Sequence, residues 1–168
     1  TVRGYGPGRL TTGDGAHLSA ADLFVAHGKH GVAGHARPAP PAVAADPVVG
    51  LRLRLAGSAQ IARLVGEAVE LFLFDRGYAG LVRQEDGSAN LCLAVHKSRL
   101  AEANGHPETL IAQWGADNAA LGERLAAAHA VGTIDAIAAI PYGWQRSAGA
   151  EGLWHLGDQA AVIPSLTG

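Results

Sequence analysis

Apolar and polar positions alternate with a period of two through much of residues 48–96. In "VVGLRLRLAG", Leu51, Leu53 and Leu55 fall on one side and Arg52 and Arg54 on the other, which predicts a strand with one buried and one wet face. The period returns in "AVELFLFDRGYAGLVRQEDGSANLCLAV", where a Gly turn and an Asp-Gly turn separate three apolar runs. Residues 48–96 are therefore expected to form an antiparallel meander, interrupted at "GSAQIARLVG" by a short helix or loop. From Pro107 to about Ala130 the spacing lengthens. Leu110, Ile111, Trp114, Leu121 and Leu125 recur at helical intervals, with Glu108, Asp117, Glu123 and Arg124 mostly elsewhere, so the pattern predicts one amphipathic helix with Gly115 as the place for a break. Pro107 suits its first turn, and Glu108 complements the helix dipole. Beyond Gly132, "IDAIAAIPYGW" and "GLWHLGD" predict two further strands.

Ahead of residue 48 the pattern is shorter and more broken. "GRLTTGDGAHLS" predicts a hairpin, because "TGDG" supplies residues that tolerate positive φ. "DLFVAH", residues 22–27, predicts a short apolar strand that Gly28 ends. "RPAPPAVAADP", residues 37–47, holds four prolines and is expected to be a connector between two structural units. The class is α+β: an antiparallel sheet with a long covering helix, plus short strands outside it.

Composition narrows this picture only slightly. With 168 residues the chain can bury one core unaided. At 48% apolar and 17% charged, with no run of like charge, it is neither disordered in bulk nor an electrostatic footprint for nucleic acid. A net charge of -2 leaves other partners open. Cys92, the single cysteine, lies in the apolar run "NLCLAV" and is expected in the core of a protein from a reducing, cytoplasmic compartment. No stretch approaches the roughly 20 apolar residues of a membrane span, and no charged-then-apolar leader opens the chain. The absence of methionine, the opening "TVRGYGPG" and an ending where a helix would begin are expected of an internal piece of a longer chain.

Candidate chemistry is sparse. There is no G-x-G-x-x-G between strand and helix, no P-loop, no G-x-S-x-G elbow and no Cys-x-x-Cys pair. "GYGPG" has glycines at 4, 6 and 8, but its proline breaks a phosphate cradle and favours a turn. His27, His30 and His35 form H-x-x-H-x-x-x-x-H in a glycine-rich loop; without a carboxylate or thiol at matching spacing, solvated loop histidines are the stronger reading over a zinc site. Asp158 is the strongest single candidate. A carboxylate following Gly157 at a strand end accepts hydrogen bonds, the glycine admits close approach of ligand hydroxyls, and a helix starting near Gly168 would aim its N–H groups at an anionic edge. Asp158 as a simple turn cap is the equally simple alternative.

"LWHLGDQAAVIPSLTG" resembles the second flavin-binding motif of FAD-dependent oxidoreductases with the para-hydroxybenzoate hydroxylase fold, in particular geranylgeranyl reductase and flavin-dependent halogenase relatives. The resemblance implies Gly157 and Asp158 beside the ribityl chain of FAD, Pro164 at a turn over the ring, and the backbone of Leu166, Thr167 and Gly168 near its pyrimidine edge. The family continues Gly-Glu-Gly into a helix. "ADLFVAHGKH" resembles the strand by which the chain leaves the FAD domain, with His27 in place of the usual Thr or Asp. In "GYAGLVR", Tyr78 matches the Gly-Tyr-x-Trp-x-Phe-Pro pattern of the reductases, while Gly80 replaces its Trp and Arg83 its Pro; the glycine would open the pocket and the arginine would place a positive charge in it, which argues against an isoprenoid substrate.

On this resemblance residues 1–37 are FAD-domain strands, 38–146 the substrate-binding sheet and helix, and 147–168 the returning FAD-domain strand with its Gly-Asp motif. The ring of FAD would meet an apolar or aromatic small molecule lying on the sheet, with NAD(P)H or another electron donor and no nucleic acid or membrane span involved. Family members reduce C=C bonds or activate dioxygen for hydroxylation or halogenation, and no catalytic residue is singled out. Tyr78, Tyr142 and Trp144 are the aromatics expected near the pocket, with packing the stronger reading for Trp144. The 168 residues alone are expected to be inactive and to bind FAD weakly or not at all, since most cofactor contacts belong to other segments. The rival reading is a non-enzymatic α+β module that binds a ligand or partner; it leaves the Gly-Asp ending unexplained.

Overall fold

A computed structural model of the protein describes residues 1–28, 32, 46–138 and 142–163. In chain order the elements are β1 (Val2–Gly6), β2 (Arg9–Thr12), β3 (His17–Ser19), β4 (Leu23–Val25), β5 (Val48–Leu55), α1 (Ala59–Val65), β6 (Val69–Phe74), β7 (Gly77–Arg83), β8 (Ala89–His96), α2 (Lys97–Glu102), α3 (Pro107–Asp117), α4 (Ala119–Ala126), β9 (Ala130–Ile137) and β10 (Leu153–His155), followed by a 3-10 turn, Gly157–Gln159. The class is α+β, as the hydrophobic pattern predicts. The chain divides into two compact units, Thr1–Ala42 with Pro141–Gly168, and Val43–Ile140. Of the proline-rich connector, only Asp46 and Pro47 lie among the described residues.

The second unit is a five-stranded antiparallel sheet in the order β6-β7-β8-β5-β9. Its inner face carries Leu51, Leu53 and Leu55 of β5, Leu91, Leu93 and Val95 of β8, Ala79 and Leu81 of β7 and Phe72 of β6, all buried. The helices cover that face with Ile61 and Val65 from α1, Leu110, Ile111 and Trp114 from α3, and Leu121 from α4. Trp114 stacks on Phe74 with ring centroids 4.2 Å apart. The approach is close enough that a Cβ on Gly77 would stand 2.9 Å from the Trp114 ring and 2.8 Å from the Ala94 carbonyl oxygen.

Three expectations need correction. Only β6, β7 and β8 form a meander; β5 pairs with β8 and β9 instead of β6, because α1 packs on the inner face and delivers the chain to the far edge of the sheet. The single long helix is two, and the break lies at Asn118 rather than Gly115. Asn118 ends α3 in extended geometry and starts α4, its Oδ1 accepting the Leu121 N–H at 3.0 Å, a cap bond that offsets the broken ladder. Gly115 serves the return instead: a Cβ on Gly122 would lie 2.5 Å from the Gly115 carbonyl oxygen, so small residues let α4 fold back on α3. Cys92 is exposed, because the period of two in β8 sends it to the face opposite Leu91 and Leu93. The sheet around it still pushes its thiol pKa up through lost hydration, with Arg52 opposing the shift.

Side chains brace the unit's margins. Ser58 caps α1 by accepting the Ile61 N–H and donates to the Ala127 carbonyl at 2.9 Å, tying α1 to the end of α4. Arg124 of α4 holds Glu70 of the edge strand β6 through two bonds of 3.0 and 2.8 Å. Asp46 accepts from the backbone and hydroxyl of Ser98 at the start of α2, which holds its carboxyl below the usual range.

In the first unit β1, β2 and β3 form an antiparallel sheet. "GYGPG" belongs to its first turn, where Gly8 adopts φ +68 between β1 and β2. The predicted hairpin is β2 and β3, closed by Thr12, which bonds the Asp14 carboxylate and the Ala16 carbonyl. β4 pairs in parallel with β10, matching Leu23 to Leu153 and Val25 to His155.

Candidate functional site

The Gly-Asp turn is built by the end of β10. Leu156 continues the strand for one residue, its N–H donating to the Val25 carbonyl at 2.9 Å. Gly157 then turns the chain at φ +54, a left-handed conformation that a side chain would strain, and among the described residues a Cβ there would meet nothing within 4 Å. The Gly157 carbonyl accepts the Ala160 and Ala161 N–H groups, while no described residue crowds the Cα side of the corner. Asp158 follows in the 3-10 turn, half-buried. Gln159 is fully buried, and its Nε2 donates to the carbonyl of Gly28, the residue that ends the β4 segment at φ +68. Arg146 closes the other side, with Nε donating to the Gln159 carbonyl at 3.2 Å. Sequence reasoning missed Gln159; the signal was an amide directly after Gly-Asp in an apolar stretch, a residue that a mere surface turn does not need to bury.

The second candidate surface is the face of the five-stranded sheet opposite the helices. Register arranges it in three transverse rows: Leu73, Tyr78, Ala94, Gly50 and Ile137; then Leu71, Gly80, Cys92, Arg52 and Asp135; then Val69, Val82, Asn90, Arg54 and Val131. Leu73 is 73% exposed, Val69 67% and Leu71 56%, so the β6 side presents bare hydrocarbon. On the β5 side, one oxygen of Asp135 accepts from Arg52 Nε and Nη2 at 3.1 and 2.7 Å and from Arg54 Nη2 at 3.0 Å. The hydrogen bonds from Arg52, and then the charge of Arg54, hold the Asp135 carboxyl below the usual range. Asp135 lies 83 positions from Arg52, too far for the sequence pattern to join them.

Tyr78 stands half-exposed in the first row, and Gly80 in the second, where a Cβ would reach only ordinary contact with Leu71 at 3.4 Å. Arg83 does not reach this face: the alternation turns it inward, and its Nη1 donates to the Gly66 carbonyl. Tyr142 and Trp144 belong to the other unit and are partly buried, with the Arg146 guanidinium 5.4 Å from the Trp144 ring centre. His27 lies against Tyr5 at 6.1 Å between ring centres. His30, His35, Pro164, Leu166, Thr167 and Gly168 lie outside the described residues. Among the described residues no group of three His, Cys, Asp or Glu side chains could hold a metal ion, and no helix is long and apolar enough to cross a membrane.

No protein-family model and no curated protein matches the chain. Solved structures do. The myxobacterial chondrochloren halogenase CndH, a variant of FAD-dependent halogenases, is 17% identical with a TM-score of 0.66 over 94% of this chain and 38% of its own. A flavoprotein/dehydrogenase from Cytophaga hutchinsonii is 14% identical with a TM-score of 0.64 over 99% of this chain and 42% of its own. The peptidyl tryptophan dihydroxylase QhpG, essential for tryptophylquinone cofactor biogenesis, is 21% identical with a TM-score of 0.57 over 95% and 35%. The chain has the fold of the corresponding part of these proteins, two of which are an FAD-dependent halogenase and a flavoprotein, and spans only 35–42% of their length.

Proposed function

We propose that this chain is part of an FAD-dependent oxidoreductase of the monooxygenase or halogenase type, acting on an apolar or aromatic small molecule. The observation that carries the reading is a fold shared along 94% of the chain with an FAD-dependent halogenase, together with a Gly157 corner whose Cα side no described residue crowds and a carboxylate immediately after it. The residues fit the cofactor's chemistry. A ribityl chain offers hydroxyl donors, Asp158 offers only acceptors, and Gly157 leaves room above the backbone. Gln159 would keep the turn in place through Gly28. Pro164, Leu166, Thr167 and Gly168 are proposed as backbone contacts of the ring. FAD, when bound, would supply the hydride and dioxygen chemistry.

The open sheet face is the proposed substrate bed. Its Leu71, Leu73 and Val69 side would cover an apolar body, Tyr78 would border it, and Gly80 leaves its floor low where the reductase pattern has a Trp. That low floor favours a molecule with a broad face over a threaded isoprenoid. NAD(P)H or another donor would supply electrons.

Expression of the complete reading frame should give a protein with the visible absorption bands of oxidised flavin. A folded product that stays colourless after incubation with FAD would overturn the assignment. Asp158→Ala should weaken FAD retention by about 1.5–3 kcal/mol, roughly ten- to hundredfold in Kd, measured by equilibrium dialysis. Undiminished retention would remove Asp158 from the site.

A further inference from the structure

The open face is chemically divided along its rows. Hydrocarbon occupies the β6 and β7 side, and guanidinium groups occupy β5. Arg52 and Arg54 are each about half-exposed, with side-chain accessibilities of 46% and 49%. Exposed ion pairs of this kind contribute little to stability, so the cluster's main physical effect is positional. By gathering three N–H groups on a single oxygen, Asp135 fixes two flexible side chains in one pose. Most of the remaining N–H donors of both guanidiniums have no protein acceptor among the described residues.

The charges nearby are disposed at the margins. Asp135 is on the edge strand β9. Glu85 and Asp86 share a depression with Arg54 on the β7–β8 turn, and Asp86 is turned in on the backbone and hydroxyl of Ser88. Arg83, at the same depression, is committed to Gly66. Arg52 stands one row farther from that turn, beside Cys92 and across from Gly80. Two guanidiniums against one shared carboxylate leave a single positive charge in the rows themselves, which suits a monoanion better than a phosphate dianion. The planar fork of arginine matches a carboxylate in shape as well as charge.

We infer that Arg52, steadied by Asp135 and assisted by Arg54, receives the carboxylate of an amphipathic substrate whose apolar body lies across β7 and β6. This rests on the reading of the open face as a substrate bed and narrows its substrate class to small organic acids.

The test uses the protein from its complete reading frame and three matched pairs: benzoate and benzyl alcohol, cinnamate and cinnamyl alcohol, octanoate and octanol. Calorimetric titration at low salt should show, for the best-bound pair, the acid binding at least about tenfold more tightly than the alcohol, an advantage that shrinks as salt is raised. Arg52→Gln should bring acid and alcohol to parity, while Gly80→Trp should weaken both alike by raising the floor. Equal affinity of acid and alcohol in the unaltered protein, an acid preference that survives Arg52→Gln, or no binding of any pair would each overturn the inference. The flavin spectrum is recorded on the same samples. A colourless protein that prefers acids sinks the flavoenzyme reading alone, and a yellow one without the preference sinks the carboxylate site alone.

Discussion

The two faces of the five-stranded sheet come from the same strands, residue by residue in alternation, yet they follow different rules. On the inner face Leu51, Leu53, Leu81, Leu91 and Leu93 are similar in kind, and what matters is that each is covered. On the outer face the middle row has a direction, from Leu71 through Gly80 and Cys92 to Arg52 and Asp135. Burial makes inner positions interchangeable in chemistry but not in volume. Exposure makes outer positions interchangeable in volume but not in chemistry. A strand's period of two separates the faces without saying what an uncovered face receives.

The largest expected effect is on the inner side. Trp114 is 1% exposed and stacked on Phe74, so Trp114→Ala should cost about 3–5 kcal/mol in denaturant unfolding of the full-length protein. Leu73→Ala, on the outer face and 73% exposed, should stay within about 0.5 kcal/mol. Equal losses would show that the helices do not cover the face assigned to them.

Two glycines of β7 sharpen the same contrast at a smaller scale. Gly77 faces inward, and a methyl group there would press on Trp114 and on the Ala94 carbonyl at under 3 Å. Gly77→Ala should therefore destabilise by about 1–3 kcal/mol, the range of an overpacked core. Gly80 faces outward with ordinary contact distance available, so Gly80→Ala should be neutral or slightly stabilising, by up to about 1 kcal/mol, through a less free unfolded chain. Thermal melts of the two variants side by side give the comparison directly. A neutral Gly77→Ala would mean the tight Trp114 seat is not needed.

What the sequence made legible follows the same division. The alternation of Leu and Arg in β5 placed both faces of that strand correctly, because one polar residue between two leucines has only one way to point. Cys92 shows the limit. Its apolar neighbours suggested the core, yet its place in the period sends it outward between Leu91 and Leu93. The hydrophobic spacing from Pro107 to Leu125 joined α3 and α4 because both halves bury the same side; only the Asn118 cap separates them. Strand order was not legible, since β5 reaches β9 across a separation in sequence that local patterns do not span. At the Gly-Asp turn, Gly157 and Asp158 could be picked out by type, whereas Gln159 and its bond to Gly28 join residues 131 positions apart. The Arg52–Asp135 pairing escaped for the same reason.

The smallest effect expected concerns acid. No carboxylate belongs to the buried cluster on the inner face, whereas Asp135 on the outer face has its pKa held below the ordinary value of 3.8 by hydrogen bonds from Arg52 and the charge of Arg54. A carboxyl that is more acidic in the folded protein than in the unfolded chain adds stability only where the unfolded chain would also be ionised. That contribution is complete above the ordinary carboxylate range and disappears as the pH falls through the lower folded value. Asp135→Asn should accordingly lower the melting temperature slightly at pH 7, and the gap from the unaltered protein should close below about pH 4. Because the cluster is half-exposed, 0.5 M salt should narrow the gap as well. A gap that persists unchanged at pH 3 would mean Asp135 stabilises the sheet through its shape and not through its charge, and the outer face would then differ less from the inner one than its rows of side chains imply.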